Sequence, residues 1–252
     1  MKKAKKLIVG NWKMNPQSLE EAKKITTSIK KIMRGIKKTD VVVCPPFVYF
    51  SSLMNSVGNS FFLGAQNANY EVLGPFTGEV SFSQLSQFKV EYIILGHSER
   101  RKMGESEELI NRKVRAVVAG GMTAIICVGE GGRDVNGDFY NFIKDQIASA
   151  IKDIPKKLLG QIVIAYEPIW AVGASESVSV NDLHEMSIFI KKVLKDLCGI
   201  AGDGIKILYG GDVDRVNADT LVRDGNVSGL LIGRESLRAK DFIEIIKSVD
   251  SI

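Results

Sequence analysis

The sequence predicts one α/β domain, residues 1–252, that closes into a (β/α)8 barrel around an eight-stranded parallel sheet. Short runs rich in β-branched residues recur eight times, and stretches with helical periodicity lie between most of them. Runs that are apolar throughout are typical of strands buried on both faces of a parallel sheet. No Pro/Ser-rich linker divides the chain, and barrels of this class reach this length as one domain.

Each of the eight apolar runs predicts one strand. In chain order they are LIVGNW (7–12), DVVVCPP (40–46), FFLGAQ (61–66), EYIILG (91–96), TAIICVG (123–129), IVIAYE (162–167), KILYGG (206–211) and GLLIGR (229–234). An open doubly wound sheet is the alternative, but it would carry a glycine fingerprint after its first strand, and GNWKMN is not one. Eight consecutive βα units therefore favour a closed barrel.

The stretches between the runs predict helices. SLEEAKKITTSIKKIM (18–33) and NDLHEMSIFIKKVLKDL (181–197) both have helical periodicity. Ser18 and Glu21 have the spacing of a capping box, and Gly35 and Gly199 are plausible stops.

Composition and charge narrow the possible partners and compartment. The chain is 45% hydrophobic and 25% charged with a net charge of +5, and its lysines are spread over helical faces. This favours a solvated surface over a nucleic-acid or membrane patch. No apolar run approaches the roughly 18 residues of a membrane span, and LIVGNW is too short for a signal-peptide core. Cys44, Cys127 and Cys198 are widely spaced, as expected of reduced thiols in a cytoplasmic protein.

Polar side chains and glycines follow many of the predicted strands. Because barrel enzymes carry their chemistry at the carboxyl ends of the strands, we expect these residues to share one rim. They are Asn11, Lys13, Gln66, Asn67, His97, Ser98, Glu99, Glu130, Glu167, Gly210, Gly211 and Gly233.

His97 directly follows the fourth predicted strand and precedes SERRKMGESEEL (98–109), which predicts one or two helical turns. The positive end of a helix dipole disfavours an imidazolium, so the ring is expected to be neutral and able to donate a hydrogen bond to an oxyanion. A core or capping histidine is the alternative. The other histidine, His184, lies on a helical stretch and is expected at the surface or between helices.

Lys13 follows the first predicted strand. An ammonium group in a barrel mouth costs several kcal/mol unless it is paired, and Glu99, expected on a neighbouring strand end, is the candidate partner. A surface lysine is the alternative interpretation.

Glu167 ends the sixth predicted strand. A desolvated carboxylate at this place can act as a general base. Pro168 fixes φ directly after it, and the segment from Trp170 to Gly173 has the apolar patch and hinge of a movable lid. A structural glutamate at a strand end is the alternative.

Glycines end the seventh and eighth predicted strands, in LYGG and LLIG. Barrels often bind phosphate there through backbone N–H groups and the start of a short helix. Gly173 would add a further N–H group when the lid closes.

Several motifs, taken together and in order, resemble one known family. GNWKMN, AQN, FTGEVS, ILGHSERR, GESEELI, CVGE, YEPIWAVG and YGG span nearly the whole chain. The sequence resembles the triosephosphate isomerase family, which gave the TIM barrel its name and is itself the standard example of a glutamate base beside a neutral histidine. The resemblance implies interconversion of dihydroxyacetone phosphate and glyceraldehyde 3-phosphate without a metal or an organic cofactor.

The resemblance also implies a role for each matching residue. Glu167 would be the base that moves a proton between two carbons, and His97 the electrophile at the substrate oxygens. Lys13 would stabilise the enediolate with Asn11 beside it, and Glu99 would hold Lys13.

Family members are usually dimers, or tetramers built from dimers. The segment NANYEVLGPFTGEVS (67–81) matches the loop that enters the neighbouring subunit's site. Thr77 would be the residue that reaches across.

The sequence departs from the family at the expected phosphate site, which is formed by Gly173, Asp212, Gly233 and Arg234. Asp212 replaces a serine, and Arg234 replaces a glycine. Two like charges about 5 Å apart cost roughly 3 kcal/mol at an effective dielectric constant of about 20, so an inward Asp212 would weaken phosphate binding. Our hypothesis is that Arg234 pairs with Asp212 or reaches the phosphate. Alternatively, both side chains face solvent and only their N–H groups face the ligand.

Two further points stay open at the level of sequence. Residues 174–176 read ASE where the family has Thr-Gly-Lys, which predicts a working lid with an altered opening rate. The rivals to an isomerase are a non-catalytic relative with a binding or scaffold role and another phosphate-binding barrel enzyme with a different substrate.

Overall fold

The computed structural model describes residues 4–58, 60–171 and 178–252. In these ranges eight parallel strands pair in chain order, and the last strand pairs with the first, so the sheet closes. The eight predicted runs are confirmed as strands, although most strands stop before the polar end of their run. The strands are β1 (Lys6–Asn11), β2 (Thr39–Cys44), β3 (Phe62–Ala65), β4 (Val90–Leu95), β5 (Thr123–Val128), β6 (Ile162–Tyr166), β7 (Lys206–Tyr209) and β8 (Gly229–Ile232).

Helices follow the strands and surround the barrel. In the described ranges the α-helices are α1 (Leu19–Ile32), α2 (Phe50–Val57), α3 (Phe82–Ser86), α4 (Ser98–Lys102), α5 (Glu107–Ala119), α6 (Asp138–Ile151), α7 (Val180–Cys198), α8 (Ala218–Asp224) and α9 (Ala239–Ser251). Short 3₁₀ helices span Met33–Gly35, Phe47–Tyr49, Lys156–Gln161, Ile169–Ala171, Gly199–Gly204 and Arg234–Leu237.

The helix ends agree in part with the sequence signals. Ser18 caps α1, because its side chain accepts a hydrogen bond from the Glu21 N–H at 3.2 Å. The reciprocal capping box forms instead at α3, between Ser81 and Gln84. Gly199 ends α7 as predicted, with φ of 65°.

Apolar side chains form two layers because successive residues of a strand point to opposite faces. Leu7 and Val9 of β1 point into the barrel, and Ile8 between them packs against the helices. The inner layer also takes side chains from other strands, among them Val42, Ile94, Ile125, Val163, Leu208 and Leu231. Both faces of the sheet are therefore buried from solvent, which explains why the strand sequences are continuously apolar.

Parallel pairing brings the carboxyl ends of the strands to one rim. Asn11 of β1 pairs with Cys44 of β2, and Val128 of β5 pairs with Tyr166 of β6. The residues that follow these pairs are therefore held at one end of the barrel.

The long connection after β3 is closed at its base. The N–H of Asn69 donates to the Val80 carbonyl at 2.8 Å, and the Asn69 side chain donates to Glu79 at 3.0 Å. Between these points the loop exposes Thr77 and several apolar side chains, of which Leu73 is 83% accessible.

The described residues contain no helix with enough consecutive apolar length to span a bilayer. Cys44, Cys127 and Cys198 are all buried and free.

Candidate active site

A cavity of about 280 Å³ opens at the carboxyl ends of the strands. Its walls carry several of the polar residues and all three glycines that the sequence places at the strand ends, whereas Gln66, Asn67, Ser98, Glu99 and Glu130 do not line it. The residues that line the cavity include Asn11, Lys13, His97, Glu167, Gly210, Gly211, Asp212, Gly233 and Arg234. The structure therefore brings together residues that lie more than 200 positions apart in the chain.

Lys13 enters this cavity from an unusual backbone conformation. Its φ is +53°, in the left-handed region that few residues other than glycine adopt. The Lys13 N–H donates to Oδ1 of Asn11 at 3.1 Å. Asn11 is the last residue of β1 and is 5% exposed, so it is a firm support for the turn.

The Lys13 ammonium group is paired with Glu99. Lys13 Nζ donates to Glu99 Oε1 at 2.6 Å. Burial raises the pKa of the Glu99 carboxyl, but the hydrogen bond from Lys13 and nearby positive charges outweigh it, and the pKa lies below its ordinary value. The expectation of a neighbouring strand end was wrong, because β1 and β4 are separated by β2 and β3, so the pair spans the mouth of the barrel.

The hydrogen bonds of His97 define its tautomer. His97 precedes α4, and its Nδ1 accepts a hydrogen bond from the Glu99 N–H at 3.2 Å. A ring nitrogen that accepts carries no proton, so in the neutral ring the proton is on Nε2. Nε2 faces Glu167 Oε1 at 3.4 Å, and this ring edge can donate a hydrogen bond into the cavity.

Glu167 follows β6 directly and is 3% exposed. Its N–H donates to the Val128 carbonyl at 2.8 Å, which fixes the backbone at the barrel rim. Its Oε2 accepts a hydrogen bond from the Ser98 N–H at 3.1 Å. Among the described residues, its Oε1 is buried without a hydrogen-bond partner. A buried acceptor without a partner is costly, and such groups are concentrated at functional sites.

Two cysteines of the inner layer, Cys44 and Cys127, are kept protonated, and Cys127 lies beside this carboxylate. Burial, followed by the charge of Glu167, raises the pKa of Cys127 well above its ordinary value. Burial alone raises the pKa of Cys44. Since the thiolate is the reactive form of cysteine, these thiols act as small apolar groups.

Two glycines allow β7 to approach the site. A Cβ atom at Gly210 would lie 3.0 Å from Cγ of Glu167, and one at Gly211 would overlap the Tyr209 hydroxyl. The Gly210 N–H donates to the Tyr166 carbonyl at 2.8 Å, so the backbone after β7 continues along β6 at two positions that have no room for a side chain.

Comparisons with known proteins give one consistent result. The family model described as triosephosphate isomerase matches residues 6–249. A relative of that name from Idiomarina loihiensis is 37% identical over 96% of this chain and 97% of its own. A second relative of that name, from Natranaerobius thermophilus, is 36% identical over 97% of this chain and 96% of its own. A third, from Clostridium botulinum, is 35% identical over 95% of this chain and 98% of its own.

The chain belongs to the triosephosphate isomerase family. It is therefore an isomerase, and the resemblance drawn from the motifs is confirmed.

This triosephosphate isomerase family member has charged side chains at the end of the cavity formed by β7 and β8. Asp212 and Arg234 both line the cavity, and both are exposed. Within residues 4–58, 60–171 and 178–252, neither forms an ion pair within 4.0 Å. The hypothesis that Arg234 pairs with Asp212 is thus not met in this conformation, and both groups remain available to a ligand.

Glu130 was expected at the rim of this family member, but the cluster that it forms was not predicted from the sequence. Glu130 is 1% exposed, and its Oε1 accepts hydrogen bonds from Trp170 Nε1 and the Tyr166 hydroxyl, both at 2.8 Å. Arg133 donates to the same oxygen at 3.1 Å and to Asp182 of α7 at 3.0 Å. The acidic end of CVGE was the available signal, but its partners are distant in sequence.

Of the expected lid, Trp170 and Ala171 lie in the 3₁₀ helix Ile169–Ala171, whereas Gly173 and the other residues of 172–177 lie outside the described residues. In the described ranges of this family member, no group of three or more His, Cys, Asp or Glu side chains is arranged to hold a metal ion.

Proposed function

We propose that this chain interconverts dihydroxyacetone phosphate and glyceraldehyde 3-phosphate by proton transfer through an enediolate. One observation carries the proposal. The buried Glu167 carboxylate lies 3.4 Å from the hydrogen-bonding edge of His97, in a cavity that Lys13 also lines. An acceptor, a neutral donor and a cation around one small space are the groups that such a transfer needs.

In the proposed reaction Glu167 removes a proton from one substrate carbon and returns it to the next. A positioned base contributes about 10²–10⁴-fold in rate. Since Oε2 is held by the Ser98 N–H, the carboxylate must leave that hydrogen bond to reach a substrate carbon.

His97 and Lys13 would stabilise the negative charge that develops on the substrate oxygens. The Nε2 proton of His97 moves between these oxygens, and the Lys13 ammonium balances the enediolate charge. One preorganised donor of this kind is worth about 3–4 kcal/mol. Asn11 and Glu99 would position Lys13 through the contacts at 3.1 Å and 2.6 Å.

The phosphate group would bind where β7 and β8 end. Backbone N–H groups near Gly211 and Gly233 support this, because both glycines line the cavity. Arg234 would add a guanidinium group, since it is exposed and lines the same end of the cavity. Asp212 would contribute its N–H with its carboxylate turned to solvent, and Gly173 would complete the site.

We also infer a homodimer located in the cytoplasm. The loop after β3 exposes apolar side chains around Thr77, and a second subunit would cover them. The three free cysteines support a reducing compartment. The expected partners are then the triose phosphates and a second copy of the chain.

Replacing Glu167 by glutamine tests the proposed function. Glutamine keeps the shape of the side chain but cannot accept the substrate proton, so kcat should fall by about 10³-fold with a small change in KM. The rate is measured with glyceraldehyde 3-phosphate as the substrate. Glu91→Gln, at the opposite end of the barrel, is the matched control and should leave kcat unchanged.

Two outcomes would contradict the proposal. One is a Glu167→Gln protein whose kcat stays within about threefold of the parent. The other is a folded parent chain that binds triose phosphates without converting them, which would support a binding or scaffold role.

A further inference from the structure

The backbone conformation of Lys13 needs external support. A φ of +53° at a lysine is strained, and such conformations persist where the surrounding contacts determine them. Asn11 holds the N–H of Lys13 at 3.1 Å, which accounts for one side of the residue. The carbonyl on the other side needs its own partner.

Gln66 supplies that partner from the end of β3. Its Nε2 donates to the Lys13 carbonyl at 2.8 Å and to the Cys44 carbonyl at 2.9 Å. Both acceptors are carbonyl oxygens, so only the NH₂ group of the amide can occupy this place, and its orientation is determined. The same Cys44 carbonyl accepts the Trp12 N–H at 3.2 Å. Gln66 therefore ties the turn after β1 to the end of β2.

The consequence for the site is positional. The ammonium group of Lys13 is held by Glu99 at its far end, but Gln66 and Asn11 determine where the side chain begins. If the backbone at Lys13 relaxes to a more common conformation, the Lys13 side chain points in a different direction and no longer enters the cavity. A displacement of about 1 Å at a catalytic group can cost about 100-fold in rate.

We propose that Gln66 is a positioning residue for Lys13: its two N–H donors keep the Lys13 backbone in the left-handed conformation that places the ammonium group at the substrate. This rests on the proposed function, in which Lys13 stabilises the enediolate. Gln66 does not touch the substrate and acts through Lys13 alone.

Two substitutions at Gln66 test the proposal. Gln66→Met keeps the length of the side chain and removes both donors. Gln66→Glu keeps its shape and places an acceptor against two carbonyl oxygens. Gln161→Met is the matched control, because Gln161 ends the 3₁₀ helix before β6, at the opposite end of the barrel. Each variant is made in the parent chain and in a Lys13→Met chain, and folding is checked by thermal melting.

The expected result is a loss that depends on Lys13. In the parent background, either Gln66 variant should lower kcat/KM for glyceraldehyde 3-phosphate by about 10–100-fold, and in the Lys13→Met background by less than about threefold. The Gln161 control should match its parent in both backgrounds. A merely structural role would cost the same in both.

Three outcomes would overturn the inference. The first is a pair of folded Gln66 variants with the kcat/KM of the parent, and the second is an equal loss of kcat/KM in both backgrounds. The third is failure of both Gln66 variants to fold, which would show that Gln66 is needed for folding and not for the position of Lys13. An inactive parent chain would instead overturn the proposed function, so the two failures are distinguishable.

Discussion

Gly210 sets the distance between β7 and the carboxylate at the centre of the site. Its missing side chain leaves room for the Glu167 side chain, since a Cβ atom would lie 3.0 Å from Cγ. Contacts this short require one of the two groups to move. A single methyl group can therefore test how closely the position of Glu167 is determined.

We expect Gly210→Ala to lower kcat by about tenfold while the protein stays folded, because Glu167 must shift by a few tenths of an ångström. Steady-state kinetics with glyceraldehyde 3-phosphate measures this. Gly160→Ala is the matched control, since a Cβ there meets nothing within 4 Å. Equal kcat values for the two variants would show that Glu167 tolerates the shift.

For single residues of the site, the sequence predicts which side chains take part better than it predicts the contacts that they make. Glu167, His97 and Lys13 could be selected because each follows a strand, and the strand ends of a barrel share one rim. The two hydrogen bonds that Gln66 donates, and the position of Cys127 beside Glu167, could not be predicted from the sequence. They depend on through-space neighbours and on a left-handed lysine that no local pattern signals.

The end of α7 shows how one residue can determine the length of an element. Gly199 has φ of 65°, and its N–H donates to the Lys195 carbonyl. The helix therefore ends in a backbone conformation that residues with a Cβ atom rarely adopt. A Cβ atom there would meet nothing within 4 Å. Any cost of a substitution is therefore conformational and not steric.

Gly199→Ala should lower the free energy of unfolding by about 1 kcal/mol, measured by urea denaturation. Gly35→Ala provides the control, because its Cβ also meets nothing and its φ is not positive. We expect the control to be neutral or slightly stabilising. If both variants lost the same stability, the φ of Gly199 would not be the cause.

The strands and the long helices were predictable, and two of the short helices were not. The strands and the helices α1 and α7 carry a full period of apolar residues, so their pattern is local. The predicted helical turn after His97 is confirmed as α4, but α3 and α8, of five and seven residues, had no signal of their own. Helices of this length are unstable alone, so tertiary contacts rather than propensity determine them.

The loop after β3 exposes apolar side chains, and we expect it to form the contact between two copies of the chain. Leu73→Glu is expected to convert a dimer to a monomer, because Leu73 is 83% exposed and a charge there would be buried in a dimer. Sedimentation at several concentrations measures the mass. Ile200→Glu is the control, since Ile200 is 89% exposed in another part of the chain. A Leu73→Glu protein that sediments like its parent would exclude this loop from the interface.

Alkaline pH should weaken the whole fold through buried tyrosines. Burial, followed by the charge of Asp212, raises the pKa of Tyr209 to about 12. An unfolded tyrosine ionises near pH 10, so this contribution to stability is complete below about pH 10 and is lost as pH rises toward 12.

Tyr209→Phe should therefore lose less stability than the parent over this interval, by on the order of 2 kcal/mol. Urea denaturation at stepped pH values measures both proteins. Tyr92→Phe is a parallel case, because burial also raises the pKa of Tyr92 to about 12. If the free energy of unfolding fell with pH at the same rate in the parent and in Tyr209→Phe, ionisation of Tyr209 would not contribute to the loss of stability.

The pairing of β1 with β8 has a consequence for synthesis of the chain. Leu7 meets Gly229, so the first strand waits for a partner that is translated more than 200 residues later. Until then, a nascent chain carries two unpaired strand edges, which invite association with other chains. Helix α9 follows β8, and Asp250 near its end accepts the N–H groups of Lys37 and Lys38 beside β2. The cylinder can therefore be sealed only after β8 has left the ribosomal tunnel.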